Sequence, residues 1–158
     1  MKNLIFVLCV SCFATAAMAA EPNAPYPDGY RDWQHVKSMV IEQGHPLFDA
    51  FGGIHHLYAN AKAIDGYRRG IFPDGAVIVF DLLEAQRQDN ALVEGERKVL
   101  GVMHKDARKY AATGGWGFEG FAAGERRNPV VQGNSATACF TCHTSERGHD
   151  YVFSRLRK

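Results

Sequence analysis

The stretch FPDGAVIVFDLL, residues 72–83, says more about the fold than any other part of the sequence. Its proline, aspartate and glycine form a strong turn signal. The residues that follow, 76–83, are rich in β-branched side chains, which predicts a strand that begins at this turn. We expect the neighbouring segments to add further strands to the same sheet.

Four other segments combine aromatic or β-branched residues with polar ones, a pattern typical of strands. They are Asp32–Ile41, Ile54–Ala59, Arg97–His104 and Trp116–Phe121. Asn60 is predicted to cap a helix over residues 61–69 that ends at Gly70, and a second short helix is predicted over residues 106–112. Together these elements predict an α+β fold, an antiparallel sheet with short helices.

The remaining segments are predicted to lack regular structure. Residues 20–31 contain three prolines and should form an extended lead-in. Residues 44–53 and 86–96 have the composition of loops. Phe48 and Phe51 are large apolar residues for a loop, so we expect both side chains to turn inward.

The sequence Cys139-Phe140-Thr141-Cys142-His143 has the C-x-x-C-H pattern that attaches c-type haem. Two thiols three positions apart on one helical turn can add to the two vinyl groups of haem, and the adjacent imidazole can ligate the iron. We therefore predict one covalently bound haem c, held by Cys139, Cys142 and His143. The motif should lie on a helix near the C-terminus, capped by Ser135 or Thr137.

Two other kinds of site use the same residue types. A zinc site would need four ligands, with His149 as a further candidate. A redox dithiol would need a βαβ setting that this sequence lacks. Met39 and Met103 are the methionines that follow residue 19, and either can in principle ligate iron, although a strand methionine usually fills the core.

The first residues have the features of a secretory signal, namely Lys2, an apolar run over residues 4–17 and a small-x-small cleavage site at residues 17–19. We expect residues 1–19 to be removed together with Cys9 and Cys12. This leaves 158 − 19 = 139 residues, a single haem c domain over residues 20–158. Since haem c is attached outside the bacterial cytoplasm, the predicted location is the periplasm.

The charge of the chain gives no indication of a nucleic acid or an anionic membrane as partner. Without Lys2, the 18 basic side chains become 17, which balance the 17 acidic ones. No segment after the signal approaches the ~20 apolar residues that a membrane span requires.

Five stretches beside the haem motif carry a resemblance to a known family. They are Ile54–Asn60, Phe72–Val79, Lys105–Tyr110, Gly115–Phe118 and Tyr151–Arg155. In this order they resemble the cytochrome P-460 family, including its relatives called cytochrome c-prime-beta. The resemblance runs from about Tyr30 to Arg155. It implies a β-rich fold, a homodimer, and a five-coordinate haem with a histidine below the iron and an open distal side.

Members of that family that oxidise hydroxylamine have a lysine cross-linked to the porphyrin, in the strand after the Phe-x-Asp-Gly turn. The matching residue in this sequence is Phe80, which has no amine to form the link. The resemblance is therefore closer to cytochrome c-prime-beta, whose distal pocket is capped by phenylalanine and binds small gases, chiefly nitric oxide. Phe80 is the predicted cap, and Phe51 is a second candidate for the same wall.

His55 and His56 are neighbours in a predicted strand, where successive side chains point to opposite faces. One of them is expected at the surface or at a dimer contact. The other can face the distal pocket, as a sixth iron ligand or as a proton donor to a bound substrate. Both are candidates for a catalytic role.

The motif and the family resemblance together therefore imply a periplasmic monohaem c-type cytochrome that binds nitric oxide or a similar small gaseous or nitrogenous ligand, with electron transfer as a further role. Two alternatives stay open. One is an enzyme that oxidises hydroxylamine or nitric oxide, and the other is a simple electron carrier with a six-coordinate iron. The redox partner is not specified by the sequence.

Overall fold

The computed structural model describes residues 23–157, so the predicted signal peptide with Cys9 and Cys12 lies outside the described residues. Its central feature is a five-stranded antiparallel sheet in which each strand pairs with the next one along the chain. The strands are β1 (Gln34–Ile41), β2 (Gly53–Ala59), β3 (Val77–Gln88), β4 (Ala91–Lys105) and β5 (Trp116–Ala122). With its short helices, this sheet is the α+β fold predicted from the sequence.

The helical elements are short. They are α1 (Phe48–Phe51), α2 (Ala61–Arg69), a C-terminal helix in three stretches (Ala136–Phe140, Thr141–His143 and Thr144–His149) and single 3₁₀ turns at Tyr30–Asp32 and Ala111–Thr113. Within residues 23–157, no helix has the length and apolar composition needed to cross a membrane.

Helix α2 has the predicted bounds because both of its ends are marked by local chemistry. The side-chain oxygen of Asn60 accepts a hydrogen bond from the Ala63 amide at 2.9 Å, which satisfies one free N–H of the first turn. The same oxygen accepts from the Val77 amide at 3.1 Å, so the cap also ties the helix to the start of β3. Gly70 ends the helix in the left-handed conformation with φ of 78°.

The predicted loop over residues 86–96 is wrong. Strands β3 and β4 continue through it as a long hairpin, in which Gln88 pairs with Ala91. Asp89 and Asn90 have φ of 48° and 65° and form a two-residue turn of the kind that matches strand twist. The residues are polar because this part of the hairpin is mostly exposed to solvent rather than packed on the core.

The predicted helix over residues 106–112 is also wrong. The Asp106 carboxylate accepts hydrogen bonds from the Arg108 and Lys109 amides, at 3.1 and 2.8 Å. These bonds cap a single turn, as Asn60 caps the start of α2, but Gly114 and Gly115 follow with φ of 65° and 81°, which ends the helical path before an α-helix can extend. A single 3₁₀ turn, Ala111–Thr113, follows.

The two faces of the sheet are covered by different parts of the chain. On one, Ala59, Ile78, Met103 and Phe118 lie side by side in register, and α2 and the C-terminal segment pack on them. We call this the helix face. On the opposite face, a cluster that includes Val79, Leu100 and Phe121 packs against the N-terminal segment through Ala24 and Tyr30. We call this the N-terminal face.

The N-terminal face also contains a buried ion pair. The Asp81 side chain is 2% exposed, and Arg97 Nε donates to its Oδ1 at 2.6 Å. The Tyr30 hydroxyl donates to Oδ2 of the same carboxylate at 2.6 Å. These bonds compensate the desolvation of the buried carboxylate, which would otherwise be strongly unfavourable.

Candidate haem site

The cysteine and histidine motif lies on a helix of unusual winding. Its first stretch, Ala136–Phe140, is wound wide, and the Thr141 amide donates to the carbonyl five residues earlier, at Ala136. Ser135 occupies the predicted cap position, but its side chain makes no cap hydrogen bond. Wide turns of this kind are frequent at functional sites, because they re-aim the side chains they carry.

His143 is oriented by a main-chain hydrogen bond. Its Nδ1 is 2.7 Å from the Tyr151 carbonyl oxygen, and since a carbonyl can only accept, Nδ1 carries the proton. The ring packs between Phe118 and Phe153, with both centroid distances 4.9 Å. Burial lowers the pKa of His143, which favours the neutral imidazole, and because Nδ1 is engaged with the Tyr151 carbonyl, Nε2 is the nitrogen available to a metal.

Both motif cysteines are free thiols in the structure. Cys139 is half-buried against the core of the helix face, and desolvation, with smaller contributions from Glu119 and Cys142, raises the pKa of its thiol to about 11. Cys142 is exposed. His149, the further zinc candidate, lies by Glu146 and Arg155. Across residues 23–157, no group of three or more His, Cys, Asp and Glu side chains is placed to hold a metal ion.

Phe80 lies on the helix face, beside the row that His143 packs against. It pairs across the sheet with Leu57 and with Gly101 and is half-buried. A Cβ placed on Gly101 would lie 3.4 Å from the Cβ of Phe80, so the glycine keeps the surface beside the phenylalanine flat. The phenyl ring therefore lies beside a residue on β4 that has no side chain of its own.

Phe51 contacts Phe80 edge to face, with ring centroids 5.7 Å apart. The prediction that Phe48 and Phe51 turn inward is wrong for the chain by itself, because the two residues are 37% and 40% exposed. Both lie on α1, a single helical turn between β1 and β2 in which no residue is buried.

His55 and His56 point to opposite faces, as predicted. His55 is on the helix face with Phe80, at a ring centroid distance of 4.6 Å, and is 3% exposed. Its Nδ1 is buried without a hydrogen-bond partner among the described residues. His56 is on the other face, where its Nδ1 bonds the Ser38 hydroxyl and its Nε2 bonds Glu94, each at 2.6 Å. Of the two histidines, only His55 adjoins the Phe80 wall.

The buried His55 predicts a pH-dependent stability. Desolvation, and less strongly the charge of His56, lowers the pKa of His55 to about 4 from its ordinary 6.5. Between these values the unfolded chain takes up a proton that the folded chain excludes, so the free energy of unfolding falls as the pH falls. Urea unfolding from pH 7 to pH 4 should show a loss of up to about 3 kcal/mol from this residue.

The matched variants for that measurement are His55→Gln and His45→Gln. The first should flatten the decline in stability with falling pH, whereas the second changes a histidine in an exposed loop and should leave it unchanged. An identical slope in His55→Gln and in the unmodified protein would contradict the assignment.

Large apolar side chains are exposed around these residues. Met39, the cross-strand partner of His55, is 48% exposed, and Phe153, which packs on the His143 ring, is 53% exposed. Met103 lies between Ile78 and Phe118 in the helix-face row and packs with the core. Phe153 thus presents an exposed aromatic ring directly beside His143, where a ligand that binds this histidine would contact it.

These features fit a haem. His143 offers Nε2, the two thiols lie on the same helical segment, and the exposed ring of Phe153 lies beside the histidine, where it can contact a porphyrin. A separate surface cleft of about 440 Å³, lined in part by Ile41, Phe48 and Leu92, lies toward the other end of the sheet and contains none of the predicted site residues.

Comparison with known proteins identifies the family. A model of the family Cytochrome P460 matches residues 27–154, which is 128 of the 158 residues. No curated protein matches the chain. The match covers the whole sheet and the C-terminal motif, and it confirms the resemblance seen in the sequence. The chain therefore belongs to the cytochrome P460 family, and is a haem-binding cytochrome.

Proposed function

We propose that the protein is an exported monohaem c-type cytochrome that binds nitric oxide or a similar small ligand. Cys139 and Cys142 would hold the haem through thioether bonds, and His143 would ligate its iron. The observation that carries the proposal is the His143 ring, which is held by the Tyr151 carbonyl and packs on Phe118, on the same face of the sheet as Phe80 and Phe51. When bound, haem supplies an iron whose open side accepts diatomic ligands.

The two phenylalanines of the proposed distal wall, Phe80 and Phe51, favour a ligand-binding protein over an enzyme. Phe80 occupies the position at which the cross-linking lysine of hydroxylamine-oxidising relatives is expected, and its side chain cannot form that bond. Phe51 stands edge-on to it, so the wall is aromatic. An apolar wall excludes water and anions and leaves room for small neutral ligands, and distal polarity and steric access are what separate ligand binding from electron transfer.

The structure also offers a specific observation for the enzyme alternative. His55 lies against Phe80 with a buried Nδ1 that has no partner among the described residues. A neutral imidazole in this position can donate or accept a proton once Phe80 moves aside. Oxidation of hydroxylamine requires proton removal, so His55, rather than His56, is the residue to test for that activity.

The proposal includes export to the periplasm, in keeping with the signal sequence of residues 1–19 and with haem c chemistry. It also includes a homodimer, which follows only from the family resemblance. The redox partner stays unassigned.

Optical spectra of the reduced holoprotein, with and without nitric oxide, test the proposal. A broad high-spin band that changes on addition of nitric oxide is the expected result. Sharp low-spin bands that do not respond to nitric oxide would contradict it and favour the electron carrier. A strongly red-shifted band, with anaerobic turnover of hydroxylamine in the presence of an electron acceptor, would favour the enzyme instead.

A further inference from the structure

The carbonyl that orients His143 belongs to a turn in an uncommon conformation. Asp150 and Tyr151 have φ of 52° and 66°, in the left-handed region that residues with a side chain rarely adopt. The Tyr151 carbonyl in this turn accepts the His143 Nδ1–H bond at 2.7 Å. Two consecutive residues in this region persist only when the surrounding structure holds them.

Asp150 connects the turn to two other parts of the chain. One oxygen of its carboxylate, Oδ2, accepts from the Phe72 amide at 2.9 Å. Its main-chain carbonyl accepts from Trp116 Nε1 at 2.7 Å, and Trp116 is fully buried. The turn is thus bonded to the loop before β3 and to the first residue of β5.

Lys105, the last residue of β4, completes the arrangement. Its Nζ lies 2.6 Å from Asp150 Oδ1, and the two side chains are 8% and 14% exposed. The same ammonium group donates to the Gly114 carbonyl at 3.1 Å and lies 5.0 Å from the Trp116 ring centroid. Lys105 and Asp150 hold each other in place, because separating them would leave two uncompensated charges in a buried environment.

Gly114 leaves room for the turn. A Cβ on this residue would lie 2.3 Å from Cε2 of the Tyr151 ring, closer than any real contact. The ring of Tyr151 therefore packs directly on the backbone of Gly114, next to the carbonyl that Lys105 holds.

We propose that Lys105 and Asp150 are positioning residues for the axial ligand. Their ion pair holds the turn at Asp150–Tyr151, and the turn aims the Tyr151 carbonyl at His143 Nδ1. That hydrogen bond sets the orientation of the ring and raises the basicity of Nε2, as outer hydrogen-bond partners do at metal-ligating histidines. The inference depends on the proposed function, in which His143 ligates the haem iron.

The test uses the haem-loaded protein with Asp150→Asn, which keeps the size of the side chain and removes its charge. Two quantities are measured: the iron–histidine stretching frequency of the ferrous protein by resonance Raman spectroscopy, and the reduction potential. We expect a lower frequency and a higher potential, because a looser Nδ1 bond makes Nε2 a weaker donor to iron. The double variant Lys105→Gln/Asp150→Asn, with two neutral amides that can bond each other, should return both values toward those of the unmodified protein.

Two further variants separate positioning from general destabilisation. Gly114→Ala leaves both charges in place, displaces the Tyr151 ring and strains a backbone with φ of 65°, so it should also lower the frequency. It provides the test if Asp150→Asn cannot be produced in folded form. Asp81→Asn breaks the comparably buried ion pair of the N-terminal face and should leave both quantities unchanged. Unchanged values in Asp150→Asn and Gly114→Ala, or equal shifts in Asp81→Asn, would overturn the inference.

Measurements on the unmodified protein distinguish a failure of the proposed function from a failure of this inference alone. A bare polypeptide mass, or an iron without a histidine ligand, would overturn the proposed function and this inference with it. A haem-containing mass and a normal iron–histidine band, combined with insensitivity to the turn variants, would overturn this inference alone.

Discussion

Replacing Cys139 and Cys142 together by serine is expected to abolish covalent haem attachment. Serine is close in size to cysteine but lacks the sulfur that adds to a vinyl group. The exported double variant should have the mass of the polypeptide alone, whereas the unmodified protein should carry the additional mass of one haem. Mass spectrometry of the denatured protein measures this directly, since a haem held only by His143 is lost on denaturation.

Single variants and a nearby control make the result specific. Cys139→Ser and Cys142→Ser should each retain one thioether and therefore still show a haem-containing mass. Thr141→Ser changes a residue between the two cysteines, keeps the hydroxyl that bonds the Ala136 carbonyl, and should show full attachment. A haem-containing mass in the double variant would contradict the thioether assignment.

Phe80→Ala is expected to open the distal side. Removal of the ring takes away its contacts with His55 and Phe51, whose centroids lie 4.6 and 5.7 Å away. Water and anions should then reach the iron, and nitric oxide should associate faster, because access to a haem iron depends on the size and polarity of its distal pocket. Stopped-flow mixing of the reduced protein with nitric oxide measures the rate, and azide titration of the oxidised protein measures anion access.

Val79→Ala is the matched control for Phe80→Ala. Val79 precedes Phe80 in β3, is fully buried, and points to the N-terminal face. The Val79→Ala variant should have a free energy of unfolding about 1–3 kcal/mol lower, because two buried methyl groups are lost, and its ligand binding should be unchanged. Identical nitric oxide kinetics in Phe80→Ala and the unmodified protein would remove Phe80 from the distal wall.

The parts of the fold that were predicted correctly are those whose chemistry is local. Asn60 and Gly70 mark the two ends of α2 within a few residues of sequence, and the turn before β3 contains its own proline, aspartate and glycine. The hairpin turn at Asp89 and Asn90 is also local, but it was missed. Both residue types accept positive φ, so the sequence was compatible with a two-residue turn. The polar composition of the surrounding strands concealed it, because strand prediction depends on buried apolar residues.

The residues of the candidate site also divide into those that are adjacent in the sequence and those that only the fold brings together. Cys139, Cys142 and His143 are adjacent in the sequence and were named from it, and their roles in haem attachment stay predictions. Tyr151, Lys105 and Asp150 were missed as parts of the site, because their arrangement depends on the approach of β4 and the C-terminal segment. The left-handed turn has a weak signal, since aspartate adopts that region more readily than most residues, but tyrosine does not.

The meander order of the strands has a consequence for the order of folding. Every strand pairs with its sequence neighbour, so the loop that each pairing closes is shorter than in a sheet whose strands cross over, and a shorter loop costs less entropy to close. The residues that carry the thiols come after the last strand and contribute no pairing to the sheet. If Cys139 and Cys142 attach the haem as proposed, we expect the sheet to form while both thiols are still accessible and the C-terminal segment to dock on it after attachment.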